Sequence, residues 1–192
     1  MISLALFASG SGTNVENIVR HFDKNPDIKI VGVFSNNPRA YVLERAKKLG
    51  IPAFVFNRHE FYEPGKVIQL LHACETDWII LAGFLWLIPE DLIAGFPGRI
   101  VNIHPALLPK YGGKGMYGER VHQAVIDNGD KESGITIHHV NSEYDRGDII
   151  FQVRCPVLPD DTAETLAHRV HGLEYAYYPK ILEKIILAGE KK

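Results

Sequence analysis

The sequence predicts an α/β fold: a mostly parallel sheet covered by helices, with antiparallel strands in its C-terminal half. Three observations predict it. Short apolar runs alternate with amphipathic stretches through the first hundred residues. The first of these runs opens directly into a glycine-rich turn. Beyond residue 130 the apolar residues alternate more regularly with polar ones, as strands with one covered face do.

Each element has its own signal. ISLALF (2–7) is apolar enough for a strand buried on both faces, and NVENIVRHF (14–22) reads as a short amphipathic helix. KIVGVFS (29–35) is the next strand. RAYVLERAKKLG (39–50) is a helix that Gly50 caps. IPAFVF (51–56) is strand-like, GKVIQLLHACE (65–75) helical, and DWIILAG (77–83) a strand. PEDLIAGF (89–96) begins a helix with Pro at its first position, and GRIVNIHP (98–105) returns to strand. MYGERVHQAVIDNG (116–129) reads as a helix. SGITIHHV (133–140) and DIIFQVRCPV (148–157) are strands flanking the turn NSEYDRG (141–147). Residues 160–189 form a long helix, with Asp161 and Glu164 as a capping box and Pro179 expected to kink or divide it.

Composition narrows the function. The 192 residues are 46% hydrophobic, enough for a real core, and suit one domain. Lys plus Arg is 21 and Asp plus Glu is 23, a net charge of -2, so there is no broad cationic field for nucleic acid or an anionic membrane. The two cysteines, Cys74 and Cys155, suggest neither a disulfide framework nor a zinc site. MISLALFASG is too short to cross a bilayer and has no basic leader. The expectation is a cytoplasmic protein whose partners are small molecules, with no nucleic acid and no membrane.

Four stretches carry polar groups in places where chemistry occurs. ASGSGTN (8–14) joins a strand to a helix, where glycines and unpaired N–H groups suit a phosphate. It is weak as a dinucleotide motif, because Val15 stands where a third glycine belongs. A plain strand–helix joint would look the same. GFLW (83–86) follows a strand and offers backbone to a flat ring, although Trp86 also reads as core. In NIHP, Asn102 and His104 lie two apart on a strand and so share a face. A carboxamide there can donate to an oxygen and an imidazole can move a proton; a structural pair is the bland alternative. Asp145, in NSEYDRGD, is one of several acids that could orient His104. Ser9 and Ser11 miss the nucleophile-elbow spacing. His168 and His171 share a helix face but lack any metal-binding pattern, so no metal site is expected. Lys110 with GGKG (112–115) is a basic, flexible stretch that suits either a lid or an exposed loop.

Taken together, ASGSGTN, FSNNPRA, LAGFLWLIP, GRIVNIHPALLPKY, HHVNSEYDRGDIIFQ and LEYAYYP resemble the glycinamide ribonucleotide formyltransferases, folate-dependent enzymes of purine synthesis. The resemblance covers nearly the whole chain. It implies a Rossmann-like formyltransferase fold over residues 1–192. Residues 1–100 would form a mononucleotide-binding half with the phosphate loop, and 101–192 the catalytic and folate-binding half. It implies transfer of a formyl group from 10-formyltetrahydrofolate, a cosubstrate, to the primary amine of glycinamide ribonucleotide, with no metal. Asn102, His104 and Asp145 match the catalytic trio. Gly12, Thr13 and Asn14, together with His171, Gly172, Leu173 and Glu174, match residues that bind the ribonucleotide. Leu85, Trp86, Leu87 and Ile88, and Asn141, Ser142, Glu143, Tyr144 and Asp145, match the folate-binding segments, to which Asn102 also contributes. Asn102 and a protonated His104 would donate to the formyl oxygen, with Asp145 raising the charged population of His104.

Two departures stand out. KYGGKGMYGERVH is longer than the family's short turn after LLP, and no residue aligns clearly with the one that meets the folate tail; Arg58 and Lys66 are the candidates. Two other functions fit the same core: formyl transfer to another amine, such as an amino sugar nucleotide, and ligand binding without turnover. Acceptor choice separates the first, and absence of transfer with retained binding the second.

Overall fold

The computed structural model describes residues 1–189. The chain divides into two compact units, with the boundary between Val101 and Asn102. Among the described residues seven strands are joined in the order β3-β2-β1-β4-β5-β6-β7, and the boundary falls inside β5.

The first unit holds β1 (Ile2–Phe7), α1 (Thr13–Phe22), β2 (Ile28–Ser35), α2 (Tyr41–Leu49), β3 (Ala53–Val55), α3 (Arg58–Tyr62), α4 (Lys66–Ala73), β4 (Trp78–Leu81), α5 (Glu90–Gly95) and the start of β5 (Ile100–His104). β1 pairs in parallel with β2 on one side and β4 on the other, and β2 pairs in parallel with β3. As an interior strand β1 is buried at all six positions, which is why its sequence runs apolar without alternation. Phe7, Phe34 and Phe54 are register partners across β1, β2 and β3, and their rings stack at 5.1 and 4.8 Å. α1 buries Val15, Ile18, Val19 and Phe22, an i, i+3, i+4, i+7 stripe.

The second unit holds the rest of β5, α6 (Glu119–Asp127), β6 (Glu132–His139), β7 (Ile149–Pro156) and α7 (Ala163–Gly189). β6 and β7 are antiparallel. α7 packs on α6, β6 and β7. It buries Leu166, Val170, Glu174, Tyr178, Leu182 and Ile186, one residue every four.

The alternation of strands and helices follows the sequence reading, with local corrections. α3 was not expected; a capping box between Asn57 and Glu60 starts it. Pro89 is the N-cap of α5 rather than its first helical residue. Pro179 does not divide α7. The reciprocal cap of α7 joins Thr162 and Thr165, whose hydroxyls accept from each other's backbone N–H groups, instead of Asp161 and Glu164. Asp161 is taken by Arg169 and by the Leu158 N–H, which hold its carboxyl well below the usual carboxylate range. Gly50 caps α2 as predicted, at φ 69°, donating to Ala46 and Lys47 carbonyls. No described helix is long and apolar enough to cross a membrane.

Candidate active site

In the second unit a polar cluster forms where β5 ends. Pro105 removes the next backbone donor and stops the strand at His104. Asn102 and His104, two apart, both reach Asp145: Asn102 Nδ2 lies 3.5 Å from Asp145 Oδ1, and His104 Nδ1 lies 3.5 Å from Oδ2. A fourth member, His138 of β6, stands between them. Its Nδ1 is 2.8 Å from the His139 carbonyl oxygen. A carbonyl only accepts, so Nδ1 carries the hydrogen and Nε2 is left as an acceptor. Asn102 Nδ2 donates to that Nε2 at 3.1 Å, which uses one of its two hydrogens. His104 is oriented in the same manner: its Nε2 donates to the Tyr111 carbonyl at 2.7 Å, so its Nδ1 is the nitrogen that faces the carboxylate.

The turn after β6 brings Asp145 back to this cluster. Asn141 Oδ1 accepts the Glu143 N–H at 3.0 Å. Asp145 adopts φ 54°, a left-handed conformation that Asp tolerates better than most side chains. Gly147 has no alternative, since a Cβ there would lie 1.7 Å from the His139 carbonyl oxygen. Asp145 Oδ2 also accepts the Gly113 N–H at 2.9 Å.

His104 and His138 are 3% and 2% exposed, so burial sets the electrostatics. Burial pushes the His104 pKa down; Asp145 and the Tyr111 carbonyl push it up, His138 pushes it down again, and the net value lies below the ordinary one. Asp145 does favour the charged form of His104, as expected, but desolvation outweighs it, so the neutral imidazole and not the protonated donor is the resting form at neutral pH. Burial would raise Asp145, yet its imidazole neighbours His138 and His104 and the Gly113 N–H bring it below the usual carboxylate value. The carboxylate stays ionised beside a neutral imidazole that has one open nitrogen.

Farther along this unit, His171 and Gly172 of α7 are exposed, Leu173 is half-buried and Glu174 is buried. The His171 ring stacks on Tyr175 and meets the buried His122 ring edge-on, both at 6.3 Å. Burial, followed by the charges of His171 and His104, holds His122 down at about 4. Ser142 and Glu143 are exposed, and Tyr144 is half-buried.

The first unit presents a different kind of site. Gly12 is the N-cap of α1 at φ 74°, and no side chain caps the helix, whose first residues are Thr13 and Asn14. A Cβ on Gly12 would sit 2.3 Å from Val42 Cγ2 and 2.9 Å from Val42 Cα. α2 grips the turn elsewhere: the Val42 N–H donates to the Gly10 carbonyl, and Arg45 Nε donates to the Ser11 carbonyl at 2.8 Å while its guanidinium pairs with Glu16. The Leu85 N–H donates to Ser9 Oγ at 3.0 Å, which ties the Leu85–Ile88 segment to the same turn. Leu85 is exposed, Trp86 and Leu87 are half-buried and Ile88 is buried. Trp86 packs on Phe61 and Tyr62, and the Arg58 guanidinium lies over the rings of Tyr62 and Trp86.

Sequence reasoning missed His138, His122 and the backbone groups of Tyr111 and Gly113. His138 shares a strand face with Thr136, and both are buried. Among the described residues no group of three or more His, Cys, Asp or Glu side chains is arranged to hold a metal ion.

Residues 2–182 match the formyl transferase family model. The chain is 40% identical over 188 residues to phosphoribosylglycinamide formyltransferase, chloroplastic, of Arabidopsis thaliana, covering 95% of this chain and 64% of that one. It is 38% identical to the phosphoribosylglycinamide formyltransferase of Haemophilus influenzae, covering 95% of this chain and 86% of that one. It thus spans less than two thirds of the plant relative but most of the bacterial one. Among solved structures, phosphoribosylglycinamide formyltransferase from Streptococcus pneumoniae superposes with a TM-score of 0.86 at 37% identity, covering 97% of this chain and 99% of that one.

Proposed function

The chain belongs to the formyl transferase family, and on that premise we propose that it transfers the formyl group of 10-formyltetrahydrofolate to the primary amine of glycinamide ribonucleotide, a step of de novo purine biosynthesis. The observation that carries this reading is the polar cluster. A carboxamide N–H, a neutral imidazole nitrogen and an ionised carboxylate gather at one strand end, in a chain 40% and 38% identical to enzymes of that name.

In this reading residues 1–100 carry the ribonucleotide phosphate at Gly12, Thr13 and Asn14, and 101–192 carry the chemistry, the last three residues lying outside those described. His171, Gly172, Leu173 and Glu174 complete the ribonucleotide contacts. Leu85–Ile88 and Asn141–Asp145 receive the folate, with Asn102. The amine nitrogen attacks the formyl carbon, forming the new C–N bond as the carbonyl oxygen takes up negative charge. The second hydrogen of Asn102 Nδ2, held at rest by no more than the long 3.5 Å contact with Asp145 Oδ1, turns to that oxygen. The proton lost by the amine passes to His104 Nδ1, where Asp145 stabilises the imidazolium as it forms. The C–N10 bond then breaks and the proton ends on N10, restoring the neutral imidazole. No step needs a metal. Both thiols are free, which supports a reducing compartment such as the cytoplasm.

The test is an assay of purified protein with 10-formyltetrahydrofolate and either glycinamide ribonucleotide or an amino sugar nucleotide, with His104→Ala as control. Transfer to the ribonucleotide alone, lost in the variant, is expected. Transfer only to the sugar amine, or folate binding without transfer, would replace this reading.

A further inference from the structure

The turn from Lys110 to Gly113 touches the polar cluster through its backbone alone. The Tyr111 carbonyl takes the His104 Nε2 hydrogen at 2.7 Å, and the Gly113 N–H donates to Asp145 Oδ2 at 2.9 Å. Between them Gly112 fits so closely that a Cβ would lie 2.6 Å from Leu108 Cδ2 and 3.2 Å from Asp145 Cβ. Tyr111 holds φ 58°, a left-handed conformation that a large aromatic residue adopts only under outside constraint.

That constraint comes from Asp130. The Tyr111 hydroxyl donates to Asp130 Oδ2 at 3.0 Å. Lys110 Nζ donates to both carboxylate oxygens at 3.1 and 3.3 Å, and Asn128 Nδ2 donates to Oδ1 at 3.0 Å. Lys110 and the Tyr111 hydroxyl keep this carboxyl below its ordinary value, so it remains a charged acceptor. Packing does not replace it on one side, because Tyr111 borders a cavity of about 460 Å³ shared with Lys110, Asp130, Lys131 and Arg154.

We infer that Asp130 is a positioning residue for the reaction: by fastening the Tyr111 side chain it fixes the carbonyl that aims His104 and the N–H that holds Asp145. The inference rests on the proposed formyl transfer for its kinetic consequence but not for its geometric one. Two variants test it, Tyr111→Phe, which removes one hydroxyl, and Asp130→Ala. Arg154→Ala, which breaks an exposed pair with Glu132 beside the same cavity, is the control. In both test variants kcat should fall about tenfold, with both KM values within about twofold of wild type. The His104 titration, followed by NMR of the imidazole, should move about half a pH unit further down, because the carbonyl that favours the charged ring is no longer held. Asp145, His138 and His122 also bear on that ring and are unaltered by these changes. Arg154→Ala should change neither reading.

Wild-type kcat and an unmoved His104 titration in folded Tyr111→Phe would overturn the inference, whatever Asp130→Ala does. A moved titration in a protein that transfers no formyl group would uphold the positioning role and discard the proposed reaction instead. A lowered kcat with an unmoved titration would assign Asp130 to general stability and refute the role.

Discussion

The glycine turn of the first unit and the polar cluster of the second are shaped by opposite means. The turn is steric. Gly12 lies against the backbone of Val42, its φ is positive, and its hydrogen bonds run mostly between main-chain groups and Arg45. The cluster is electrostatic: four buried or half-buried side chains are fixed by donors and acceptors within 3.6 Å of one another. A steric site rejects an added atom and is indifferent to the charge of its neighbours. A hydrogen-bonded site tolerates small changes in volume and fails when one donor or proton is lost. The two should therefore answer differently to substitution and to pH.

The largest contrast is in rate. His104→Ala removes the nitrogen proposed to take the amine's proton. It should lower kcat about 10³-fold, roughly 4 kcal/mol, and leave the KM for the ribonucleotide within about threefold. Steady-state kinetics decide. A rise in KM with kcat preserved would mean that His104 serves binding and not chemistry. The same kinetics against pH should show activity rising as His104 loses its proton, with a midpoint below 6.5, because burial holds its pKa down. A midpoint above 6.5 would restore the charged imidazole that the sequence suggested.

The next effect is on stability. His122 is 1% exposed, its Nδ1 has no partner, and its folded pKa is about 4 against 6.5 when unfolded. The unfolded chain therefore binds this proton more readily, and stability is lost as pH falls from 6.5 towards 4. At about 1.4 kcal/mol per pH unit the loss attributable to His122 is about 3 kcal/mol. Denaturant unfolding of wild type and His122→Asn at several pH values measures it: the two curves should diverge between about pH 4 and 6.5 and run parallel on either side of that window. Parallel curves throughout would show that burial at this position carries no electrostatic cost. The first unit has no such buried histidine among its described residues, so this loss between pH 6.5 and 4 belongs to the second.

Gly12→Ala tests the steric side. The added methyl meets Val42 backbone and side chain, and the residue must keep a left-handed φ or move the turn. About 2 kcal/mol is expected, seen as a rise of about thirtyfold in the KM for the ribonucleotide with little change in kcat. A kcat defect equal to that of His104→Ala would erase the distinction between the two units.

What could be read from the sequence follows the same divide. β1, α1, α2 and β4 were legible because their apolar spacing and end residues are local. Gly12 was legible because only glycine fits such a joint. Asn102 and His104 were legible as a pair because strand periodicity puts them on one face. Asp145, 43 residues from Asn102, stood among several acids until the resemblance singled it out. His138 was passed over because a lone histidine in an alternating strand carries no local signature. The Tyr111 carbonyl and the Gly113 N–H could not be read at all, since every residue but proline offers such groups. α3 was missed through its brevity, although Asn57 and Glu60 had the capping-box spacing. Pro179 misled because a proline inside a helix normally breaks it, whereas here the buried stripe of α7 runs through it.

The smallest effect is the sharpest test of the steric reading. Ser9 Oγ accepts the Leu85 N–H, a side-chain hydrogen bond that joins the glycine turn to the Leu85–Ile88 segment. Ser9 is 8% exposed, so Ser9→Ala leaves that N–H half-hidden and unpaired, at a cost of about 1 kcal/mol. The backbone tie from the Ser9 N–H to the Gly83 carbonyl, at 3.0 Å, is untouched by the substitution. If backbone and close packing define this region, thermal unfolding should shift by only a few degrees. The KM for the folate should rise no more than about fivefold. A loss as large as that of Gly12→Ala would mean that the first unit, too, depends on one side-chain acceptor, and that its glycines serve a hydrogen-bonded site instead of replacing one.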